Sequence, residues 1–238
     1  MAFGTFIGAM PDISLSATTG FIFDWDGVII DSHAQHEESW QLLFQELGRP
    51  MPEGFFKATF GMRNQQIIPM CFDFVAAEDH AEIARLGDRK EELYRDILRR
   101  DGIVPLPGVV TLLEELLSLG IPTSVGSSTP RLNIETIMGM TGLDRYFQHI
   151  VSAEDVTVGK PDPQVFLKAA EKLARTPARC VVFEDAHVGI EAGKRAGMKV
   201  VAVATTHPLE SLGQADVAYS NLEGLCVKDI LAATGLQE

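Results

Sequence analysis

The second half of the chain alternates short apolar runs with longer amphipathic segments. This alternation is typical of βαβ units, in which parallel strands form a sheet and the connecting helices cover it. We therefore predict an α/β fold built on a parallel sheet. The predicted strands lie at residues 21–23, 121–125, 180–183 and 200–204, with a weaker fifth strand at 217–219.

Between the first two predicted strands the apolar residues follow a different period. Apolar side chains recur at helical spacing in residues 39–47, and residues 79–100 form another long helical stretch. No apolar strand interrupts this region of the sequence. We therefore predict a helical insert at residues 34–103.

A Val-Pro-Leu-Pro-Gly segment at residues 104–108 follows the insert. Proline restricts the backbone, so this segment predicts a stiff connection that returns the chain to the sheet. We assign the core to residues 18–33 and 104–238. Residues 1–17 are expected to form an N-terminal tail or a packing strand.

The composition limits the partners of this protein. The 238 residues carry a formal net charge of -13. Nucleic acids and anionic membranes are therefore disfavoured as partners, because either would need an extended basic surface. The cysteines Cys71, Cys180 and Cys226 are odd in number and widely spaced, which predicts reduced thiols. No segment has the pattern of a signal peptide or membrane span, so we expect a cytoplasmic monomer or small homo-oligomer.

The most specific local signal is FIFDWDGVIIDS at residues 21–32, an apolar strand that ends in two acids and a glycine. Ligands bind at the carboxyl edge of a parallel sheet, and Asp24 and Asp26 would share one face of an extended segment. One carboxylate could attack phosphorus while the other protonates the leaving oxygen and later activates water. The alternative interpretation is a turn or helix cap with two solvated acids.

A second acidic site follows the strand predicted at 180–183. Glu184 and Asp185 precede a helical segment rich in small residues. Beside the first acid pair they would complete a set of oxygen ligands, which Mg²⁺ prefers. We predict Asp185 as a direct ligand and Glu184 as a ligand or its hydrogen-bonding partner. Asp185 could instead be only the cap of the next helix.

Two further segments have the chemistry of phosphate binding. Ser127 and Ser128 follow a predicted strand, where hydroxyls and backbone N–H groups can donate to an oxyanion, although a capped turn would have the same sequence. Lys160 lies in the rigid turn Gly-Lys-Pro-Asp-Pro, where it could pair with Asp24 and neutralise phosphate. A solvated surface lysine is the alternative.

In this order, the segments DWDGV, GSST, GKPDP and FED, with a helical insert after the first, resemble the motifs of the haloacid dehalogenase-like superfamily with a helical cap. The resemblance implies a Rossmann-like core and a Mg²⁺-dependent phosphoryl-transfer site. It implies Asp24 as nucleophile, and Asp26 as acid and base and as a metal ligand through its carbonyl. The other implied contacts are Ser127 and Lys160 to phosphate, and Glu184 and Asp185 to Mg²⁺.

The same resemblance helps to choose the reaction. Asp26 argues against the dehalogenases and phosphonate-cleaving members, which lack an acid at this position. His36 and Lys90 occupy positions that resemble those of β-phosphoglucomutases, although related phosphatases share them. Arg63 and Asn64 follow Gly61 and are candidates for substrate recognition by the cap.

We therefore predict a Mg²⁺-dependent phosphatase that hydrolyses a small phosphate monoester, such as a sugar phosphate, through an aspartyl phosphate. A β-phosphoglucomutase-like isomerase is the alternative, in which the phosphoryl group passes to a bound sugar phosphate before water can act. An inactive binding protein on the same fold is disfavoured, because both acids at positions 24 and 26 are present.

Overall fold

A computed structural model of the protein describes residues 18–59 and 62–236 of the 238-residue chain. The N-terminal tail predicted at residues 1–17 lies outside the described residues. Within them, a six-stranded sheet has the order β3-β2-β1-β4-β5-β6, and every neighbouring pair is parallel. The strands are β1 (Gly20–Phe23), β2 (Thr123–Gly126), β3 (His149–Val151), β4 (Cys180–Glu184), β5 (Lys199–Val203) and β6 (Val217–Tyr219).

The predicted Rossmann-like α/β fold is confirmed, with one strand that the sequence did not reveal. Strand β3 lies at the edge of the sheet and has only three residues, of which Val151 alone is buried.

The described α-helices are α1 (His33–Glu46), α2 (Phe55–Thr59), α3 (Asn64–Cys71), α4 (His80–Asp101), α5 (Val109–Ser118), α6 (Arg131–Thr141), α7 (Gln164–Lys172), α8 (His187–Arg195) and α9 (Val227–Thr234).

Hydrophobic residues fill both faces of the sheet. Successive side chains of a strand point to opposite faces. Phe21 and Phe23 accordingly pack with α5, α6 and α9 on one face, while Ile22 packs with α7 and α8 on the other. Strand β1 is thus buried on both sides, and the residues that follow it are held in the middle of the sheet.

The helices α1 to α4 pack around a hydrophobic cluster of their own, which includes Trp40, Phe44 and Phe72. We refer to these helices as the insert. The chain leaves and re-enters the core at adjacent points, where the backbone N–H of Leu106 donates to the carbonyl oxygen of Ile29 (2.8 Å). The limits of the insert, residues 34–103, stay a prediction. Among the described helices, none combines the length and apolar character needed to cross a membrane.

Candidate active site

Adjacent strands bring the two acidic segments together. Strands β1 and β4 pair in register, so Asp24 follows β1 close to where Glu184 ends β4. Carboxylate oxygens of Asp24, Glu184 and Asp185 all lie within 4.8 Å of one another. All three residues are buried. The carboxyl edge of the sheet therefore carries a compact cluster of acids.

Lys160 lies within hydrogen-bonding distance of two of these acids. Its Nζ is 2.7 Å from Oδ1 of Asp24 and 2.5 Å from Oε1 of Glu184. Burial disfavours the ammonium, but the charges of the two carboxylates outweigh this effect and raise the pKa of Lys160. The lysine is thus a permanent cation beside Asp24, although 136 positions separate the two residues along the chain.

The acid cluster fits a divalent cation. Burial raises the pKa of Glu184, and burial together with the charges of Glu184 and Asp24 raises the pKa of Asp185 well above its usual range. Carboxylates crowded in this way are stabilised by a metal ion, and an all-oxygen set suits Mg²⁺. Thr206, which sequence reasoning missed, donates its hydroxyl to Oδ2 of Asp185 and orients that carboxylate.

Two glycines allow this close approach. Gly27 has a φ of +80°, and a Cβ at this position would lie 1.9 Å from Oδ2 of Asp185. A Cβ at Gly189 would lie 1.8 Å from Oε1 of Glu184. Any larger residue at either position would displace a carboxylate of the cluster.

Asp26 points to a different set of partners. Its carboxylate accepts hydrogen bonds from the hydroxyls of Ser32 and Thr129, and its side chain is 20% exposed. Desolvation raises the pKa of Asp26 to about 6, although the two hydroxyls oppose this effect. A pKa near neutrality suits a group that must both donate and accept a proton. Trp25, between the two acids, is fully buried.

The serine segment is arranged differently from a simple anion-binding turn. The backbone N–H of Ser127 donates to the carbonyl oxygen of Val151 in β3 (2.9 Å), so it is not available to a phosphate oxygen. The Ser127 hydroxyl lies 3.2 Å from that of Thr129. Ser128 is half-buried at the same strand end. The structure thus places the hydroxyl of Ser127 near Asp26, while strand pairing uses its backbone donor.

His36 and Lys90 meet beside Asp26. Nζ of Lys90 is 2.7 Å from Nδ1 of His36, and Nε2 of His36 is 3.9 Å from Oδ1 of Asp26. Burial and the Lys90 charge lower the pKa of His36 to about 3, so the imidazole is neutral at pH 7. An ammonium can only donate, so Nδ1 accepts and the ring proton is on Nε2, which faces Asp26. The ring of Tyr94 stacks on His36 with centroids 4.0 Å apart.

The cap candidates Arg63 and Asn64 have separate surroundings. A Cβ on Gly159 would lie 3.0 Å from Nε of Arg63, so this guanidinium packs against the loop that precedes Lys160. Its buried terminal nitrogen NH2 has no hydrogen-bond partner in the described part of the chain. Asn64 instead donates from Nδ2 to Glu91 (2.7 Å). Their roles in substrate recognition stay predictions.

Comparison with known proteins defines the family. The family model for haloacid dehalogenase-like hydrolases matches residues 18–197. The chain is 36% identical over 226 residues to the chloroplastic 5-amino-6-(5-phospho-D-ribitylamino)uracil phosphatase of Arabidopsis thaliana, covering 92% of this chain and 59% of that protein. It is 31% identical to validoxylamine A 7'-phosphate phosphatase of Streptomyces hygroscopicus subsp. limoneus, covering 84% of this chain and 92% of that relative.

A solved structure of similar sequence has the same fold. The β-phosphoglucomutase of Clostridium difficile superposes with a TM-score of 0.79 at 26% identity, over 92% of this chain and 98% of that chain. The chain belongs to the haloacid dehalogenase-like hydrolase family, as its motifs predicted. The predicted enzyme class, a phosphoric monoester hydrolase of this family, is confirmed by the relatives named as phosphatases.

Proposed function

We propose that the protein is a Mg²⁺-dependent phosphatase that hydrolyses a phosphorylated sugar or polyol through an aspartyl phosphate. The observation that carries this proposal is the meeting of Asp24, Lys160 and the acids of β4 at one edge of the sheet, with Asp26 on the adjacent turn. The relatives named for 5-amino-6-(5-phospho-D-ribitylamino)uracil and for validoxylamine A 7'-phosphate support a small phosphorylated metabolite as the substrate.

In the proposed first step, Asp24 attacks phosphorus in line with the leaving oxygen. Lys160 holds the charge of the transferring phosphoryl group, and Asp26 gives its proton to the departing alkoxide. The products of this step are the free alcohol and an aspartyl phosphate at Asp24. In the second step, Asp26 takes a proton from water as that water attacks phosphorus, which releases phosphate and regenerates both acids.

The side chains of Asp24, Glu184 and Asp185 would hold the metal ion, together with the Asp26 carbonyl implied by the family resemblance. When bound, Mg²⁺ supplies positive charge that reduces the repulsion between a carboxylate nucleophile and a phosphate dianion. The hydroxyl of Thr206 and the backbone N–H groups of Asp185 and Ala186 orient the carboxylates.

Removing divalent cations with EDTA is expected to abolish phosphate release, and adding Mg²⁺ should restore it. Asp185→Asn should raise the Mg²⁺ concentration for half-maximal activity by at least about tenfold, because an amide is a weaker and neutral ligand. Asp88→Asn, an exposed acid on α4, is the matched control and should leave the Mg²⁺ titration unchanged. Full activity in EDTA would contradict a metal-dependent reaction.

Arg63 is the cation best placed to select the leaving group. It extends from the insert to Gly159, next to Lys160, and its buried NH2 nitrogen lacks a partner among the described residues. A buried charged donor without a partner is unfavourable. A hydroxyl of the leaving group would satisfy it when the insert covers the site.

Arg63→Ala is expected to raise KM for the preferred sugar phosphate by about 10- to 100-fold, the equivalent of one hydrogen bond to a charged group. The kcat for p-nitrophenyl phosphate should change little, because that ester has no hydroxyls for Arg63 to bind. Lys57→Ala, which removes an exposed cation from the neighbouring helix α2, should change neither value. An unchanged substrate profile in Arg63→Ala would exclude Arg63 from recognition.

A β-phosphoglucomutase-like reaction is the second candidate. It is supported by the likeness to the β-phosphoglucomutase of Clostridium difficile together with the contact between His36 and Lys90 beside Asp26. A panel of sugar phosphates, polyol phosphates, phosphoglycolate and nucleotides, assayed with Mg²⁺ for phosphate release, distinguishes the two. We expect release from one or a few sugar or polyol phosphates. Conversion of β-glucose 1-phosphate to glucose 6-phosphate without phosphate release would instead establish the mutase, and the absence of both reactions would overturn the proposal.

A further inference from the structure

A buried carboxylate, Glu91, joins three helices where the insert meets the core. Its Oε1 accepts hydrogen bonds from Nδ2 of Asn64 (2.7 Å) and Nζ of Lys90 (3.1 Å), and its Oε2 accepts one from Nδ2 of Asn133 (2.7 Å). Glu91 and Lys90 lie on α4, whereas Asn64 begins α3 and Asn133 lies on the core helix α6. One carboxylate therefore connects two helices of the insert, α3 and α4, with the core helix α6.

Helix α4 holds both ends of the Asn133 amide. Nδ2 of Asn133 donates to Glu91, and its Oδ1 accepts from NH1 of Arg95 (2.8 Å). Glu91 and Arg95 are one helical turn apart and so lie on the same face of α4. Asn133 is fully buried, where an unpaired amide would be strongly unfavourable. These two hydrogen bonds therefore help to hold α4 against α6.

Lys90 lies on the same turn of α4 as Glu91, to which Asn133 donates. Nζ of Lys90 contacts both Glu91 and Nδ1 of His36, and Nε2 of His36 faces Asp26 at 3.9 Å. A displacement of Glu91 would move the ammonium that orients the imidazole. The hydrogen bonds between insert and core are thus connected, through two side chains, to the proposed acid and base.

We propose that Glu91 and Asn133 are positioning residues that couple docking of the insert on the core to the placement of Asp26. They act through Lys90 and His36 and do not touch the substrate. Their effect on turnover rests on the proposed phosphatase function, because the placement of Asp26 matters only if Asp26 protonates a leaving group.

The side chains at positions 91 and 133 allow a matched set of variants. Glu91→Gln replaces one acceptor oxygen with a donor, so the amide cannot accept at both ends, and one neighbouring donor is left facing another. Asn133→Asp places two carboxylates against each other. In the double variant Glu91→Gln/Asn133→Asp, the new amide can donate to the new carboxylate while its oxygen accepts from Asn64 and Lys90. Each of these contacts is then again a hydrogen bond, with the one between positions 91 and 133 reversed in direction and the negative charge moved to α6.

The test compares kcat/KM for phenyl phosphate and p-nitrophenyl phosphate, which have similar shapes but leaving groups of different basicity. Each single variant is expected to lower kcat/KM for phenyl phosphate about tenfold and for the p-nitrophenyl ester less than about twofold, because only the more basic phenolate needs protonation as it leaves. The double variant should recover the wild-type ratio. Glu92→Gln, the adjacent exposed acid on α4, should resemble wild type.

Equal losses with both esters would show a merely structural role, and losses that add in the double variant would show that the two residues are not coupled. Either result would overturn the proposal. Wild-type hydrolysis of the esters checks the phosphatase function separately. The ¹⁵N resonances of the His36 imidazole need no substrate. They should shift in Glu91→Gln and return in the double variant, and unchanged resonances would overturn the coupling even in a protein that hydrolysed neither ester.

Discussion

Replacing Asp24 with asparagine is expected to lower phosphate release by a factor on the order of 10⁴ or more, because an amide oxygen is a poor nucleophile. Oδ1 of Asp24 accepts a hydrogen bond from Lys160, and the asparagine oxygen can accept the same bond. The variant should therefore remain folded while the reaction stops. Initial rates of phosphate release, with circular dichroism as a check on folding, measure this effect.

Asp31→Asn is the matched control for this experiment. Asp31 is an exposed acid on the same segment, and its Oδ1 accepts a hydrogen bond from the backbone N–H of His33 (3.1 Å). We expect its activity to equal that of wild type. Wild-type activity in a folded Asp24→Asn protein would rule out covalent catalysis at this residue. Direct attack of water on phosphorus would then be the mechanism to test.

Asp26→Ala is expected to lower kcat/KM for sugar phosphates by about 10²- to 10⁴-fold, the usual contribution of a general acid. With p-nitrophenyl phosphate the loss in kcat/KM should be much smaller, because nitrophenolate leaves without a proton. The second step still needs a base to activate water. The phosphorylated protein should therefore accumulate in this variant when the good leaving group is used.

Mass spectrometry of acid-quenched protein measures that accumulation directly. The added phosphoryl group should map to the peptide that contains Asp24. The double variant Asp24→Asn/Asp26→Ala, treated identically, should not be labelled, and Asp31→Ala should turn over as wild type. A phosphoryl group on another peptide would assign the nucleophile elsewhere, and equal losses with both substrates would remove Asp26 from proton transfer.

Most of the fold could be predicted from local patterns. The runs at 180–183 and 200–204 became β4 and β5 with shifts of about one residue at their ends. The strand predicted at 121–125 begins later, at Thr123. Ile121 and Pro122 lie before the segment that pairs with its neighbours. Strand β3 could not be predicted, since three residues with one buried side chain give no recognisable period.

Only part of the candidate site could be predicted from the sequence. Asp24, Glu184 and Asp185 could be placed together because acids that end neighbouring parallel strands must meet at one edge. Thr129 belongs to the segment predicted to bind phosphate, but its contact with Asp26 could not be predicted. Thr206 was missed altogether, because a threonine after a strand is common and its partner depends on loop geometry. Glu91 and Asn133 were also missed, since an acid within a charged helix and an asparagine 42 positions away carry no local mark of contact.

The sequence by itself determined the class of fold and the chemistry at the sheet edge. Hydrophobic periodicity selects strands and helices locally, and the ends of parallel strands meet regardless of loop detail. Only the tertiary structure decided which donor faces each carboxylate oxygen of Asp26, that Lys90 contacts His36, and how α4 docks on α6. These contacts depend on the relative placement of helices and loops, which close packing over the whole molecule sets.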